Sequence, residues 1–245
     1  MNNTIQVTGY GVTALIAGAL IAVFQLELMS DSQRTTLLAQ AGSALLVIGV
    51  AALQTTVLTV LCSLLGLYLA SRVALDTRVR ITTPSIWVAV TTATTVAGVI
   101  VASDVWIFAS YIPATAVVPF DWLGLVRNVL YGGIIEEVLM RLGVMTLIVW
   151  VLWKLCGALV PWMYIVAIAL SALLFAAGHL PITFQILCQP DIDCTVLVVR
   201  VLLLNGIGGV GFGYLYWRHG LSAAMLSHML THVLMQLVFV PLLHG

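Results

Sequence analysis

Three ionisable side chains stand in a segment that is apolar enough to cross a lipid bilayer. Residues 131–150 carry Glu136, Glu137 and Arg141 among mostly apolar neighbours. A charged group at membrane depth costs from roughly 3 to over 10 kcal/mol, depending on the reference state, so such groups usually serve a function. Glu137 and Arg141 are four residues apart on one helical face and are predicted to form an ion pair. Glu136 lies about 100° around the helix and remains available for chemistry.

Three histidines in later apolar segments could supply partners for that carboxylate. His179 follows Phe175 by one helical turn, although a lone histidine near a segment end can equally be a cap or an interfacial group. His228 and His232 share a face of the last apolar segment. Two histidines and a spare carboxylate predict either a proton-transfer site or a metal site. The alternative is a buried ion-pair network that only holds helices together.

The composition places these groups in a membrane protein. Of 245 residues, 62% are hydrophobic and 7% are charged, and the mean hydropathy is +1.16. Soluble domains carry about 25% charged residues, and long unbroken apolar runs argue against a barrel of alternating strands. The net charge of +0 argues against a nucleic-acid surface. We expect an all-α polytopic membrane helix bundle, a single domain over residues 1–245, with about seven or eight transmembrane helices around a polar cavity.

The predicted spans follow the apolar runs. Residues 35–71 are too many for one span at 1.5 Å per residue across about 30 Å, and we favour two spans with a tight turn near residues 54–56 over one long helix. Counting alone puts His179 near one membrane face and His228 about two to three turns from the other. Their convergence requires tilted, kinked or unequal helices. The other spans cover about residues 9–29, 85–103, 122–155, 161–179 (stopping at Pro181), 196–217 and 221–243.

The loops differ in charge. Arg72, Arg78 and Arg80 form the most basic loop, which the positive-inside tendency predicts to be cytoplasmic. Counting spans from this loop places Lys154 and Arg218 on the same side. The acidic residues on the opposite side are Asp104, Asp121, Asp191 and Asp193.

The cysteines and the first residues give weaker indications. Cys188 and Cys194 flank a polar loop and could be bridged if that loop faces an oxidising compartment. Cys62 and Cys156 lie in or beside apolar runs and are predicted to pack as small hydrophobic residues. Residues 1–10 lack the Lys or Arg of a signal peptide, so the first apolar run is predicted to be a retained span.

Three short motifs, in this order, resemble those of one peptidase family. EEVLMR at residues 136–141 fits E-E-x-x-x-R, FAAGH at 175–179 fits F-x-x-x-H, and HMLTH at 228–232 fits H-x-x-x-N with His in place of Asn. The chain thus resembles the CAAX-processing and bacteriocin-processing family of intramembrane glutamic endopeptidases, also called the ABI or type II CAAX prenyl endopeptidase-like family. The likeness covers about residues 120–235, the expected catalytic core.

The resemblance implies a membrane helix bundle around a cavity that holds the reacting groups. It implies that Glu136 is the general base that activates a water, assisted by His179, and that His228 and His232 stabilise the oxyanion. A His side chain can donate to an oxyanion as an Asn amide does. No cofactor or metal is expected to be obligatory. The substrate would be a peptide or lipidated peptide, of CAAX or another membrane-associated type, met among membrane lipids.

The supporting residues and the alternatives follow from the same motifs. Glu137 and Arg141 would form the supporting ion pair, and Phe175 belongs to the second motif. His232 in place of Asn favours, as one alternative, a metal-dependent hydrolase in which the three histidines and Glu136 bind zinc. Another alternative is a non-enzymatic scaffold, a bacteriocin-immunity protein or a proton-coupled transporter, although the paired repeats typical of transporters are not visible. We expect a multi-pass protein of a prokaryotic cell membrane.

Overall fold

Helices make up the described part of the chain. The computed structural model describes residues 2–112, 120–188 and 194–244, and within these ranges it contains no strand. The expected all-α polytopic membrane bundle is confirmed. Seven helical segments of the described residues are long and apolar enough to cross a membrane: Asn3–Leu28, Ala44–Val73, Thr83–Trp106, Trp122–Cys156, Pro161–Gln185, Cys194–His219 and Leu221–Leu243.

We number the helices in chain order. They are α1 (Asn3–Leu28), α2 (Asp31–Ala41), α3 (Ala44–Ala70), α4 (Thr83–Trp106), α5 (Trp122–Leu130), α6 (Thr146–Cys156), α7 (Pro161–Gly178), α8 (Leu180–Ile186), α9 (Cys194–His219), α10 (Leu221–Leu234) and α11 (Val240–His244). Two π-helical segments, Tyr131–Glu136 and Val138–Met145, connect α5 to α6, and a third, Met235–Phe239, connects α10 to α11. Such wide turns are rare in proteins, and those that occur are often found at functional sites.

The predicted turn near residues 54–56 is wrong, because the chain turns earlier. Gly42 adopts φ +86°, a conformation that glycine tolerates, and ends α2. Ser43 then caps α3 by accepting a hydrogen bond from Leu46 N at 3.2 Å. The hydroxyl of Thr56 donates back to the helix within α3, so the polar residues there need no turn. The long apolar stretch therefore holds the short α2 and one span, and the described residues contain seven candidate spans rather than eight.

Helical structure also continues past Pro181, where the sequence predicted the end of a span. Proline lies in the first turn of α8, where its missing N–H removes no helical hydrogen bond. His179 stands at the junction of α7 and α8, and Thr183 Oγ1 donates to its carbonyl at 2.9 Å. The chain thus bends at His179 instead of leaving the bundle in an open loop.

The packing of α7 against α9 sets how far inside the bundle His179 lies. A Cβ at Gly209 would lie 2.8 Å from Ala172 Cβ, and one at Gly213 would lie 3.2 Å from Ile168, so glycines permit this close approach. In this antiparallel register His179 is level with about residue 202, roughly 12 Å inside the first residue of α9. Because α7 ends short of its neighbour, His179 lies within the bundle.

One end of the bundle is closed by the loop between α3 and α4. We call it the basic-loop end, because the loop carries Arg72, Arg78 and Arg80. The Arg78 side chain hydrogen bonds to Asp76 at 2.9 Å and holds the pKa of that carboxyl below its usual value. Four hydrogen bonds fasten the loop to the helices: Gln6 Nε2 to Thr77 O at 2.7 Å, Tyr164 Oη to Val73 O at 2.8 Å, Leu221 N to Asp76 O at 2.9 Å, and Ser222 Oγ to Arg78 O at 3.1 Å.

A disulfide marks the opposite end, which we call the disulfide end. Cys188 and Cys194 are joined there, as the sequence allowed. Asp121 caps α5 at the same end by accepting a hydrogen bond from Gly124 N. The predicted positions of Asp191 and Asp193 lie outside the described residues.

The two remaining cysteines are free thiols. Cys62 is half-buried in α3, as expected of a packed small residue. Cys156, in contrast, is exposed, so its predicted packing is wrong. It is the last residue of α6, before Gly157 ends the helix at the basic-loop end.

Candidate active site

Four ionisable side chains of the three motifs line one cavity of about 590 Å³. It lies among α1, α4, α5, α7, α9 and α10 and the first π-helical segment. Glu136 comes from that segment, His179 from the end of α7, and His228 and His232 from α10. Four residues that the sequence singled out are therefore brought together in space.

Glu136 is the point where two of these histidines meet. His179 Nε2 lies 3.9 Å from Glu136 Oε1, and His228 Nε2 lies 3.9 Å from Glu136 Oε2. These separations are too long for direct hydrogen bonds. A water about 2.8 Å from both partners fits either gap. Each carboxylate oxygen can thus share a water with one imidazole.

The other ring nitrogens of the two histidines are held by acceptors. His179 Nδ1 lies 2.8 Å from Phe175 O, and His228 Nδ1 lies 2.8 Å from Glu137 Oε1. A carbonyl oxygen only accepts, and so does an ionised carboxylate, so each Nδ1 carries the hydrogen. In a neutral ring the Nε2 lone pair then faces Glu136.

Glu137 has two partners, of which the sequence predicted one. The predicted ion pair is present, with Arg141 Nε 3.3 Å from Glu137 Oε2 and both side chains 0% exposed. The hydrogen bond to His228 was not predicted, because the motifs give no contact between segments 91 residues apart. Arg141 also donates to Gly209 O at 3.1 Å. The buried pair consequently links its own helix to α9 and α10.

Aromatic rings fix the positions of the imidazoles. Phe212 stacks on His228 with centroids 4.3 Å apart, and His228 stacks on His232 at 5.1 Å. Phe175 meets both His179 and His228 edge to face. Phe212 carried no signal in the sequence, since an aromatic residue in an apolar span is ordinary. The stack limits how far His228 can turn away from the two glutamates.

His232 is the histidine with a spare nitrogen. Its Nε2 is buried and has no hydrogen-bond partner among the described residues. That atom faces the backbone of Gly132, where a Cβ would overlap it, and a Cβ at Gly133 would likewise overlap Met229. The two glycines therefore allow the π-helical segment to approach α10 closely.

We expect Gly132→Ala to lower kcat/KM of the reaction that this cavity carries out at least about tenfold, a loss of about 1.4 kcal/mol. The added methyl group takes the place of His232 Nε2 and displaces that ring from the cavity. Gly206→Ala is the matched control, since a Cβ at Gly206 in α9 meets nothing within 4 Å. Equal kcat/KM values for the two variants would show that the position of His232 does not matter.

The cavity has further polar lining that the motifs did not indicate. Arg127 and Asn128 line it toward the disulfide end, and Asn205 lines it near the middle of α9. Arg200 also lines it and is paired with Asp104 at 2.5 Å. These residues lie outside the three motifs. A charged side chain in a helix near the bilayer surface can reach water, so its presence in the sequence does not by itself indicate a site.

The zinc alternative requires the histidines and Glu136 to surround one metal ion. Across residues 2–112, 120–188 and 194–244, no group of three or more His, Cys, Asp or Glu side chains is arranged to hold a metal ion. His228 Nδ1 is hydrogen bonded to Glu137, so only the Nε2 atom of that ring could bind a metal ion. The donor geometry does not fit the zinc alternative as it stands.

Comparison with known proteins bears on the same part of the chain. Residues 118–234 match the family model described as type II CAAX prenyl endopeptidase Rce1-like, which confirms the resemblance. This segment contains all three motifs. No curated protein and no solved structure matches the chain.

Proposed function

Because residues 118–234 match the family model described as type II CAAX prenyl endopeptidase Rce1-like, we propose that this membrane protein hydrolyses a peptide bond with Glu136 as general base. The family is one of CAAX-type intramembrane proteases, so peptide hydrolysis within a membrane is its class of chemistry. The observation that carries the proposal is the placement of two imidazole nitrogens 3.9 Å from the two oxygens of one carboxylate in a cavity.

The first step is the attack of a water held between Glu136 and His179. The water donates one hydrogen to the carboxylate and the other to His179 Nε2, and its lone pair faces the scissile carbonyl carbon. As the C–O bond forms, Glu136 takes the proton. When the C–N bond breaks, the protonated Glu136 returns that proton to the leaving amine. General base catalysis of this kind contributes about 10² to 10⁴ in rate.

The developing oxyanion is stabilised by His228 and His232. With Nδ1 bonded to Glu137, His228 can donate from Nε2 only when its ring carries both protons. The carboxylates of Glu136 and Glu137 flank that ring and compensate the added charge. His232 Nε2 can donate without giving up another hydrogen bond, which supports its substitution for an amide.

Apolar lining supports a lipidated or otherwise apolar peptide as substrate. The cavity presents Ile21, Leu139, Leu174 and Ile182 beside the polar groups. Leu174 lines the cavity and is also 53% exposed, which supports an opening toward lipid beside it. A prenyl group or a hydrophobic anchor can thus remain in lipid while the peptide bond reaches Glu136. We place the protein in a prokaryotic cell membrane.

The test is cleavage of synthetic peptides by purified protein in liposomes. Farnesylated CAAX peptides and matched unmodified peptides are incubated with it, and products are identified by mass spectrometry. We expect cleavage that persists after metal chelation, with less than one zinc per ten protein molecules. Loss of activity on chelation and its return with zinc would instead establish the metal-dependent alternative. Absence of cleavage of both peptide types would favour a scaffold.

A further inference from the structure

The cavity extends from the level of Phe212 and His228 toward one end of the bundle. Its lining includes Gln25, three residues before the end of α1, and Ile182 in α8. Arg127 and Arg200 line it from the first two turns of α5 and α9. All of these positions lie toward the disulfide end. From Glu136 the cavity therefore extends toward that end of the molecule.

The basic-loop half is packed between its loop and Glu136, and a separate pocket of about 320 Å³ beside Asp76 and Arg218 shares no lining residue with the cavity. Thr146 and Tyr216 share a buried hydrogen bond of 2.9 Å, and both side chains are fully buried. The loop between α3 and α4 covers this half from below through its hydrogen bonds to α1, α7 and α10. The apolar side chains that pack here are Leu67, Val73, Val149, Tyr164, Leu215 and Leu221. A substrate thus has no path to Glu136 from the basic-loop end.

The distribution of cationic residues orients the bundle. Arg72, Arg78, Arg80, Lys154 and Arg218 lie in loops or last turns at the basic-loop end. Lys and Arg in short loops are retained on the cytoplasmic side of membranes. The basic-loop end is consequently the cytoplasmic end.

Fewer cationic groups lie at the other end. They are Arg34 in α2, Arg127 in α5 and Arg200 in α9, against five at the basic-loop end. The Cys188–Cys194 disulfide gives independent support, because such bonds persist in oxidising compartments outside the cytoplasm. The cationic loops and the disulfide therefore both assign the disulfide end to the non-cytoplasmic side.

We propose that the active-site cavity opens to the non-cytoplasmic side of the membrane, and that the substrate is a membrane-anchored peptide presented from the non-cytoplasmic leaflet. The statement about the substrate rests on the proposed peptidase function. The statement about sidedness rests on the cavity, the cationic loops and the disulfide. It is testable without an activity assay.

Cysteine labelling in intact cells tests the sidedness. The reagent is a small sulfonate methanethiosulfonate, which does not cross membranes. Native Cys156 reports on the basic-loop end, because it is exposed there. In a Cys156→Ser background, Ser32→Cys reports on the exposed surface of α2, and Asn205→Cys reports on the cavity wall. Cys156→Ser alone measures any reaction of Cys62.

In intact cells we expect Ser32→Cys and Asn205→Cys to react at least tenfold faster than Cys156, which should react fully only after permeabilisation. The reverse pattern would overturn the proposed orientation. Reaction of Ser32→Cys without reaction of Asn205→Cys would overturn the opening of the cavity on that side. Neither result depends on cleavage, so failure of this proposal is distinguishable from failure of the peptidase assignment.

Discussion

Replacing Glu136 by Gln should lower kcat for peptide cleavage by about 10² to 10⁴-fold while leaving KM within about threefold. The amide has nearly the same shape but cannot take the proton of the attacking water. His179 and His228 remain in place, since their Nδ1 atoms are held by Phe175 and Glu137. Steady-state kinetics of the purified variant in liposomes measure both constants.

Glu27→Gln is the matched control for that variant. Glu27 is an exposed glutamate near the end of α1, and it does not line the cavity. Its loss should leave kcat unchanged within twofold. Thermal unfolding of Glu136→Gln should match that of the wild type, which separates a chemical defect from a folding defect. A kcat for Glu136→Gln equal to that of Glu27→Gln would exclude Glu136 as the base.

Replacing Arg141 by Met should reduce the free energy of unfolding by about 3–5 kcal/mol. The substitution leaves the carboxylate of Glu137 buried without its cation, at a position where it is 0% exposed. It also removes the hydrogen bond to Gly209 O and the contact of the guanidinium with the Phe175 ring, 4.9 Å away. Titration with denaturing detergent in mixed micelles measures the change.

Two controls separate charge burial from loss of contacts. The double variant Glu137→Gln/Arg141→Met removes both charges, and we expect it to recover more than half of the lost stability. Arg34→Met breaks an exposed pair, 3.3 Å from Asp31, and should change stability by less than about 1 kcal/mol. If Arg141→Met is no less stable than Arg34→Met, the buried ion pair does not hold the helices together.

The sequence was sufficient for the parts of the site that depend on helical periodicity. Spacing of four residues along one helix predicts the Glu137–Arg141 pair and the shared face of His228 and His232. Because Glu137, and not Glu136, is four residues from Arg141, Glu136 is left out of that ion pair. Local geometry therefore singled out these candidate site residues before any packing was known.

Contacts between helices could not be derived in this way. The hydrogen bond from His228 to Glu137 and the stack on Phe212 depend on how α10 packs against two other helices. A π-helical segment also shifts side chains around the helix axis, and no residue pattern in the sequence predicts such a segment. The close approach at Gly132 becomes interpretable only when the opposing His232 is known.

The fold also has parts that the sequence predicts and parts that depend on tertiary packing. Apolar runs predicted the membrane helices, because burial in lipid demands about 20 apolar residues per span. The turn between α2 and α3 was misplaced, since threonines can bond to their own helix and Gly42 was not recognised as a helix end. The depth of His179 follows from the short α7 and its glycine-mediated packing on α9, which are tertiary features.

The most direct test of Glu136 as a general base is a single-turnover cleavage in water enriched in oxygen-18. Wild-type protein in excess is mixed with a cleavable peptide, and both the product and the protein are analysed by mass spectrometry. We predict one oxygen-18 in the new carboxylate of the peptide and none in the Glu136 side chain, because the water attacks the substrate directly. Oxygen-18 found in Glu136 would show that this carboxylate attacks the peptide itself and would contradict the mechanism.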